Sequence, residues 1–409
     1  MSLDVVKGEG RCLSAPYRLS RHHCREQGAA LLIFALVLVI GVAAYFLPAS
    51  VFRSREPEDR ITAEALAKAK QALLGYAASY PDTHGGARGP GFLPCPDTDD
   101  DGYSNPPCNT GGQLTLGRLP WRELEVGDLR DGAGERLWYA VSSNYRETPP
   151  VASLQSDTAV APFFTLDNGG PQLAAVILAP GRPLTGQSRP ASLPGDYLEG
   201  VNASTVYADP KRFRNYPAAD GNANDRAVGI RRDELAARME RRALAEAARL
   251  LKGYDAACGY LPWAAPFDPT APAQRAVAGL AEGALPTDAA AAGPPSVTVE
   301  WGSACAFGVT PAVTGWLTAE GWQRLLYYAA APGWLEGGSR ACGSCLVLNG
   351  VGGIPALLVS AGRALSGGRP SPLPARYFEG ENATPGDGRF ESRTLSAAFN
   401  DQVEALTLP

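Results

Sequence analysis

Residues 173–204, LAAVILAPGRPLTGQSRPASLPGDYLEGVNAS, return as residues 354–384, IPALLVSAGRALSGGRPSPLPARYFEGENAT. A repeat of this length constrains the fold more than any single element does, because both copies must satisfy one architecture. Shorter echoes accompany it. LLGY after the first helical stretch meets LLKGY after the second, Gly91-Phe92-Leu93-Pro94 meets Gly259-Tyr260-Leu261-Pro262, and ERLWYAVSS at 135–143 meets QRLLYYAAA at 323–331. The period is about 180 residues, too long for a solenoid repeat. The chain therefore reads as an internal duplication, with a first α+β module over 51–230 and a second over 231–409. Each has a helix, a loop region held by disulfides, and then strands.

Periodicity supports that reading. Leu66, Ala69, Leu73, Ala77 and Tyr80 recur at spacings of three and four, which predicts an amphipathic helix over Ile61–Tyr80, stopped by Pro81, Gly85 and Gly86. Leu235, Met239, Ala243, Ala247, Leu250 and Leu251 predict another over Asp233–Tyr254, with Glu234 and Arg238 as an i,i+4 pair. Glu135–Ser143 reads as an amphipathic element and Gln172–Ala179 as a buried strand ended by Pro180-Gly181. Ala276–Pro295 reads as a loop insertion in the second copy.

Ahead of the first module, Ala29–Leu47 carries no charge. As a helix it would span roughly 27–29 Å, about the thickness of a bilayer's hydrocarbon core. This predicts a transmembrane helix over 29–50 continuing into the head. Lys7, Arg11, Arg18, Arg21 and Arg25 precede it and outnumber Asp4, Glu9 and Glu26, which places the N-terminus in the cytoplasm. A secretory signal peptide and a plain signal anchor are the competing readings. The segment ends in Tyr45-Phe46-Leu47-Pro48 rather than a small-x-small cleavage site.

Arg25-Glu26-Gln27-Gly28 followed by Ala29-Ala30-Leu31-Leu32, with Pro48 beyond, resembles a type IV prepilin leader. The resemblance covers about the first eighty residues. Gln27 stands where Arg or Lys is usual, and Ile33 stands where pilins carry Glu. It implies a cytoplasmic leader over 1–28, processing between Gly28 and Ala29 by a prepilin peptidase, and a single-pass inner-membrane protein with its head in the periplasm or on a filament. Lack of an acid at Ile33 resembles the large-headed K-type minor pseudopilins placed at a filament tip.

Composition limits the alternatives. The 409 residues are 45% hydrophobic and 19% charged, with 46 Gly and 35 Pro, so cores are affordable and loops abundant. Net charge is −5 and no basic stripe stands out, which disfavours nucleic-acid binding. Cys12 and Cys24 lie in the leader. Cys95, Cys108, Cys258, Cys305, Cys342 and Cys345 lie beyond the apolar run, and in an oxidising compartment they predict three disulfides, Cys95–Cys108 among them. Cys342-Gly343-Ser344-Cys345 has redox CxxC spacing but precedes a strand-like stretch, so a structural disulfide is the preferred reading. A four-cysteine zinc site adding Cys258 and Cys305 is the other option. His84 is the sole histidine past the leader, which leaves little for a His-based triad or zinc site.

Asp97-Thr98-Asp99-Asp100-Asp101-Gly102 has the D-x-D-x-D-G form of a calcium loop. Asp97, Asp99 and Asp101 are the candidate ligands, Asn105 a later one, and Cys108 replaces the usual bidentate Glu. The alternative is a solvated acidic turn. Tyr197–Asn202 and Tyr377–Asn382 repeat a Glu and an Asn, read as strand ends with Asx turns rather than ligands. Asp128 and Asp131 read as a salt-bridged loop rather than a glycosidase pair.

The expected function is structural: a minor pilin or pseudopilin, at the tip or initiating position of a type IV pilus or type II secretion system, and not an enzyme. Its partners would be other pilin-like subunits through the N-terminal helix. The competing class is a membrane-anchored periplasmic carbohydrate-binding protein or hydrolase stabilised by calcium, with Trp121, Trp263, Trp301 and Trp334 available to stack on sugars.

Overall fold

The computed structural model describes residues 23–85, 88–148, 153–158, 163–167, 169–216, 221–271, 274–287, 311–365 and 367–408. The chain divides into two compact units, Met1–Asp59 and Arg60–Pro409. Helix α1 runs from His23 to Thr83 as one 61-residue element. Its last third is the helix that the 3.6-residue spacing predicts: Leu66, Ala69, Leu73, Leu74, Ala77 and Tyr80 are buried.

Among the described residues no helix is long and apolar enough to cross a membrane. This corrects the expected transmembrane helix over 29–50, and with it the prepilin-type leader over 1–28 and the single-pass inner-membrane placement. The apolar run is not an element of its own. It belongs to α1, which continues through Arg53, Arg55, Glu56, Glu58, Asp59 and Arg60. Gly28 and Ala29, the expected processing site, both lie within α1, which begins at His23. Residues 1–22 lie outside the described residues.

The unit Arg60–Pro409 is mixed α+β with several sheets. In its first half the strands are β1 (Gly117–Arg118), β2 (Trp138–Val141), β3 (Phe164–Leu166), β4 (Leu173–Ala179), β5 (Lys211–Phe213) and β6 (Arg226–Arg231). Antiparallel pairing runs β1-β2-β4, with β6 on the other side of β4, and β3 pairs β5 in parallel. Helix α2 (Arg232–Cys258) follows, ended by left-handed Gly259 at φ 76°. The second half has β7 (Glu282–Ala284), α3 (Pro311–Ala319), β8 (Leu326–Ala330), β9 (Leu346–Leu348), β10 (Val351–Ile354), β11 (Ala356–Ser360), β12 (Arg389–Phe390) and β13 (Gln402–Leu406). Here the antiparallel order is β7-β8-β11-β13, and β9 pairs β12 in parallel. Element for element, β1-β2-β4-β6 corresponds to β7-β8-β11-β13, and β3/β5 corresponds to β9/β12.

The pairings adjust two sequence readings. Trp138 faces Leu178 and Tyr327 faces Val359, so Trp138 corresponds to Tyr327, one residue away from the Leu326 that the linear echo puts opposite it. Part of the expected loop insertion at Ala276–Pro295 is strand β7, with Leu285 buried beside it, while 288–295 lie outside the described residues.

Strand β4 is buried along its whole length because both faces are covered. Ala175, Ile177 and Ala179 join the core that includes α1, α2 and the second sheet, whereas Val176 and Leu178 join a second core with Trp138, Phe164, Tyr197 and Phe213. Helix α2 packs on β11 and β13 and also touches β4 and β6, so it serves both halves.

Candidate functional site

The acidic loop hangs from β1. Asp97 and Arg118 exchange backbone hydrogen bonds of 3.0 and 2.6 Å, which fixes where the loop starts. Asp97 is buried at 1% exposure. Its Oδ1 accepts the Asp100 N–H at 2.7 Å and its Oδ2 the Gly102 N–H at 2.7 Å. Gly102 takes φ 92°, the left-handed turn the motif calls for. Ligand atoms of Asp97, Asp99 and Asp101 all lie within 4.8 Å of one another. Burial first, and then the neighbouring Asp99, raise the Asp97 carboxyl above its ordinary value, opposed by the two N–H donors.

Asn105 is not aimed at this cluster. Its Oδ1 accepts the Thr98 N–H at 2.6 Å and the Thr98 hydroxyl at 3.2 Å, so it braces the loop. Asp100 turns away as the alternation requires and pairs with Arg136 at 2.9 Å. The carboxylates therefore repel one another less than the bare sequence suggests. A cavity of about 160 Å³ adjoins the loop, walled by Asp97, Asp99, Asp100, Arg118 and Trp138. In it the Arg118 guanidinium is stacked between Tyr197 at 3.9 Å and Trp138 at 4.3 Å. Three carboxylates with adjoining backbone oxygens fit a hard cation such as Ca²⁺, whose role there would be to neutralise charge and pin the loop.

The cysteines bear on the same loop. Cys95 and Cys108 are bonded at 2.04 Å and close it. Cys342 and Cys345 are bonded to each other ahead of β9, at no helix N-terminus. Cys258 ends α2, and Cys305 lies outside the described residues. His84 stacks on Tyr80 at 4.1 Å, its nitrogens facing the Thr83 hydroxyl at 2.8 Å and the Tyr76 hydroxyl at 3.2 Å. Tyr76 in turn donates to Glu147 at 2.5 Å.

The tryptophans are packed. Trp121 carries Arg122 on its face at 4.8 Å and Trp334 carries Arg340 at 4.6 Å, Trp263 lies against the core, and Trp301 lies outside the described residues. Asp128 is bridged to Arg130 at 2.7 Å and Arg136 at 2.9 Å. Burial pushes its carboxyl up, and the two guanidinium groups outweigh that and hold it low. Asp131 accepts N–H groups from Ala133, Glu135 and Gly181.

The repeated Glu and Asn form neither strand ends nor simple Asx turns. They enter and occupy 3₁₀ turns at Gly200–Asn202 and Gly380–Ala383, and their side chains reach far along the chain. Asn202 donates to the Arg214 carbonyl and accepts the Arg214 N–H, at 2.9 and 2.8 Å. Asn382 does the same with Glu391 at 3.0 and 2.9 Å. Each Asn also donates to a buried aspartate, Asp225 at 2.9 Å or Asp401 at 3.0 Å. Each assembly is backed by an arginine. Arg189 donates to the carbonyls of Gly181, Asp196 and Tyr197, and Arg369 to those of Gly362, Arg376 and Tyr377. The two lie over the Tyr197 and Tyr377 rings at 4.6 and 4.4 Å. A Cβ at Gly362 would run into Asn400, and Gly181, close against Asn224, has the left-handed φ of 64° that favours glycine.

Sequence reasoning missed Asp225 and Asp401. The signal is the dipeptide Asn-Asp at 224–225 and 400–401, visible only when the duplication is followed past the stretch where it is strong. No family model, no curated protein and no solved structure matches the chain.

Proposed function

We propose that the chain is a structural subunit of a helix-packed assembly, of the minor pilin or pseudopilin kind, and not an enzyme. One observation carries this reading. Helix α1 is a continuous element whose Leu36, Val37 and Leu38 are 60%, 61% and 54% exposed. Three consecutive residues point around more than half of a helix, so an apolar stretch exposed at all three has no single face turned to a core. Such a surface calls for cover, and helices of neighbouring subunits supply it in the assemblies the resemblance suggests. Calcium at Asp97, Asp99 and Asp101 belongs to the same proposal as a structural ion.

Sedimentation of the full chain in mild detergent tests it, against a variant with Leu36→Lys, Val37→Lys and Leu38→Lys. Concentration-dependent association that the variant loses, with an unchanged melting temperature for the unit Arg60–Pro409, is the expected result. Association of equal strength in the variant, or a monomer at every concentration, overturns the proposal.

A further inference from the structure

Each half of the molecule presses two carboxyl groups together. In the first, Asp225 is 0% exposed, and its Oδ2 accepts the Glu199 N–H and Asn202 Nδ2, both at 2.9 Å. Its Oδ1 is buried with no N–H or O–H from another group, and Glu199 is held beside the carboxyl by reciprocal backbone bonds, its N–H to Asp225 Oδ2 and the Asp225 N–H to its Oε2. Glu199 is well supplied with donors: Oε2 accepts the N–H groups of Asn224 at 3.0 Å and Asp225 at 3.2 Å, and Oε1 accepts Gln187 Nε2 at 2.8 Å. The second half repeats this. Asp401, 1% exposed, accepts the Glu379 N–H at 2.8 Å and Asn382 Nδ2 at 3.0 Å on Oδ2. Its Oδ1 is likewise buried without a donor, and Glu379 lies beside the carboxyl, its Oε2 accepting the Asn400 N–H at 3.1 Å.

Two ionised carboxylates cannot hydrogen-bond to each other, because neither has a donor. A single proton between the two groups removes the repulsion and supplies the missing donor. N–H donors stabilise the charged form of the glutamate, whereas the aspartate has one oxygen that nothing donates to, so the proton belongs on aspartate Oδ1. The groups around each pair agree. Glu199 is the charge that acts on Asp225, with Arg214 and Tyr216 beside the pair from the segment after β5. In the second half Glu379 acts on Asp401, and Glu391 meets Asn382 through its backbone while its carboxylate is taken by Arg393 at 2.6 Å. The same geometry built twice from different flanking residues argues against an accident of packing.

We infer that each half is fastened by a single proton, Asp225 Oδ1–H donating to Glu199 and Asp401 Oδ1–H donating to Glu379, so that alkaline pH unfastens the loops these pairs hold. Burial penalises the charged aspartate, and the facing glutamate adds repulsion once the proton leaves. The device is a pH-sensitive clasp in duplicate.

The test uses the full chain, with Asp225→Asn and Asp401→Asn made singly and together. An asparagine amide replaces the O–H donor and carries no titrating proton, so the variants keep the clasp. Amide hydrogen exchange, corrected for the intrinsic pH dependence, is followed from pH 6 to pH 9.5 at residues 199, 202 and 214 and at 379, 382 and 391. In the parent chain protection falls at both sites, by up to roughly tenfold per pH unit while the closed loop holds a proton that the opened loop releases, and levels off once the aspartate has titrated. Each single variant abolishes the fall at its own site and leaves it at the other. Equal falls in the parent chain and the double variant, or constant protection in the parent chain across the range, overturn the inference. The single variants keep the test decisive should the double variant fail to fold.

Discussion

The two halves share one buried assembly and use its outer arm differently. Arg189 reaches Glu135 of its own half at 3.3 Å. Arg369, its counterpart, pairs with Asp157 of the first half through contacts of 2.9 and 3.0 Å. Gln187 supports Glu199 in the first copy, whereas the second copy is one residue shorter there and has Gly367-Gly368. What stayed the same is the buried Asn, Asp and Glu and the arginine behind them, side chains that would be costly to leave without partners. What changed is the side facing outward, and in the second copy that side now joins the two halves. Glu240 of α2 adds to the joint, accepting Ser156 Oγ at 2.5 Å and Gln402 Nε2 at 2.7 Å, as does Glu320, which accepts the Leu154 N–H at 2.8 Å.

The sharpest way to break this comparison is Arg369→Ala. It strands three carbonyls and the Asp157 carboxylate, and a broken buried pair costs about 3–5 kcal/mol. Arg189→Ala should cost less, because Glu135 is held by a single contact of 3.3 Å where Asp157 is held by two shorter hydrogen bonds. Denaturant titration of both variants is the measurement, and equal costs would mean that the Asp157 pair contributes nothing to the joint.

Removing Cys95–Cys108 comes next. The paired Cys→Ala variant should lose roughly 3 kcal/mol, the chain-entropy figure for a loop of about this length. Breaking Cys342–Cys345, which closes a far shorter loop, should cost clearly less. Melting with and without reductant distinguishes the two bridges.

Asn202→Ala and Asn382→Ala test the equivalence of the copies directly. Each removes the one side chain satisfying a distant N–H, a carbonyl and an aspartate, at about 2–3 kcal/mol. The two costs should agree within error. A much smaller loss at Asn382 would show that the second copy relies on the joint instead.

Glu240 supplies a pH test of the joint. Burial pushes its carboxyl up to about 7, while Ser156 and Gln402 oppose the rise. An acid with a raised folded-state value holds its proton more tightly when folded, so its contribution is complete below its unfolded value of 4.5 and is lost as pH rises through 7. The parent chain should therefore lose a few °C of melting temperature across that window relative to Glu240→Gln. Parallel curves for the two proteins would show that Glu240 does not titrate in the folded state.

How far the sequence alone reaches differs between these regions for physical reasons. The buried faces of α1 and α2 and the strand β4 are legible because burial imposes a period on consecutive residues. Leu73 and Ala77, or Ile177 and Leu178, announce themselves. The pairing of Cys95 with Cys108 follows from proximity along the chain. The clasp does not, because Glu199 meets Asp225 across the whole of β5 and its loops, and neither residue type signals burial. The one-residue offset of Trp138 against Leu326 is invisible for a similar reason: register is set by β4 and β11, not by the strand itself. The apolar run misleads because uncharged length alone does not say where a helix begins or ends, and α1 extends past it on both sides.

The smallest expected effect concerns the loop that only the first half possesses. Where Asp97-Thr98-Asp99-Asp100-Asp101 stands in the first copy, the second has Ala265-Pro266-Phe267-Asp268-Pro269, and Ala265 makes with Ala284 the backbone bridge that Asp97 makes with Arg118. The bridge is thus a property of the fold and does not depend on carboxylates. Calcium, if it binds, adds to a loop already held by Cys95–Cys108, by the Asp97 N–H bonds and by Asn105. Binding to the folded state at tenfold excess over the dissociation constant adds about 1.4 kcal/mol by mass action. Asp99→Asn should abolish that gain, since Asp99 has neither the backbone bonds of Asp97 nor the arginine of Asp100 to occupy it. Asp100→Asn should lower the metal-free melting temperature slightly, through Arg136, and leave the calcium increment intact. Melting of the chain in calcium, magnesium and chelator, with elemental analysis for bound metal, reads all of these together. An identical curve in all three, with no metal bound, would make the acidic run a hydrogen-bonded turn and leave the disulfide as what sets this loop apart from its counterpart.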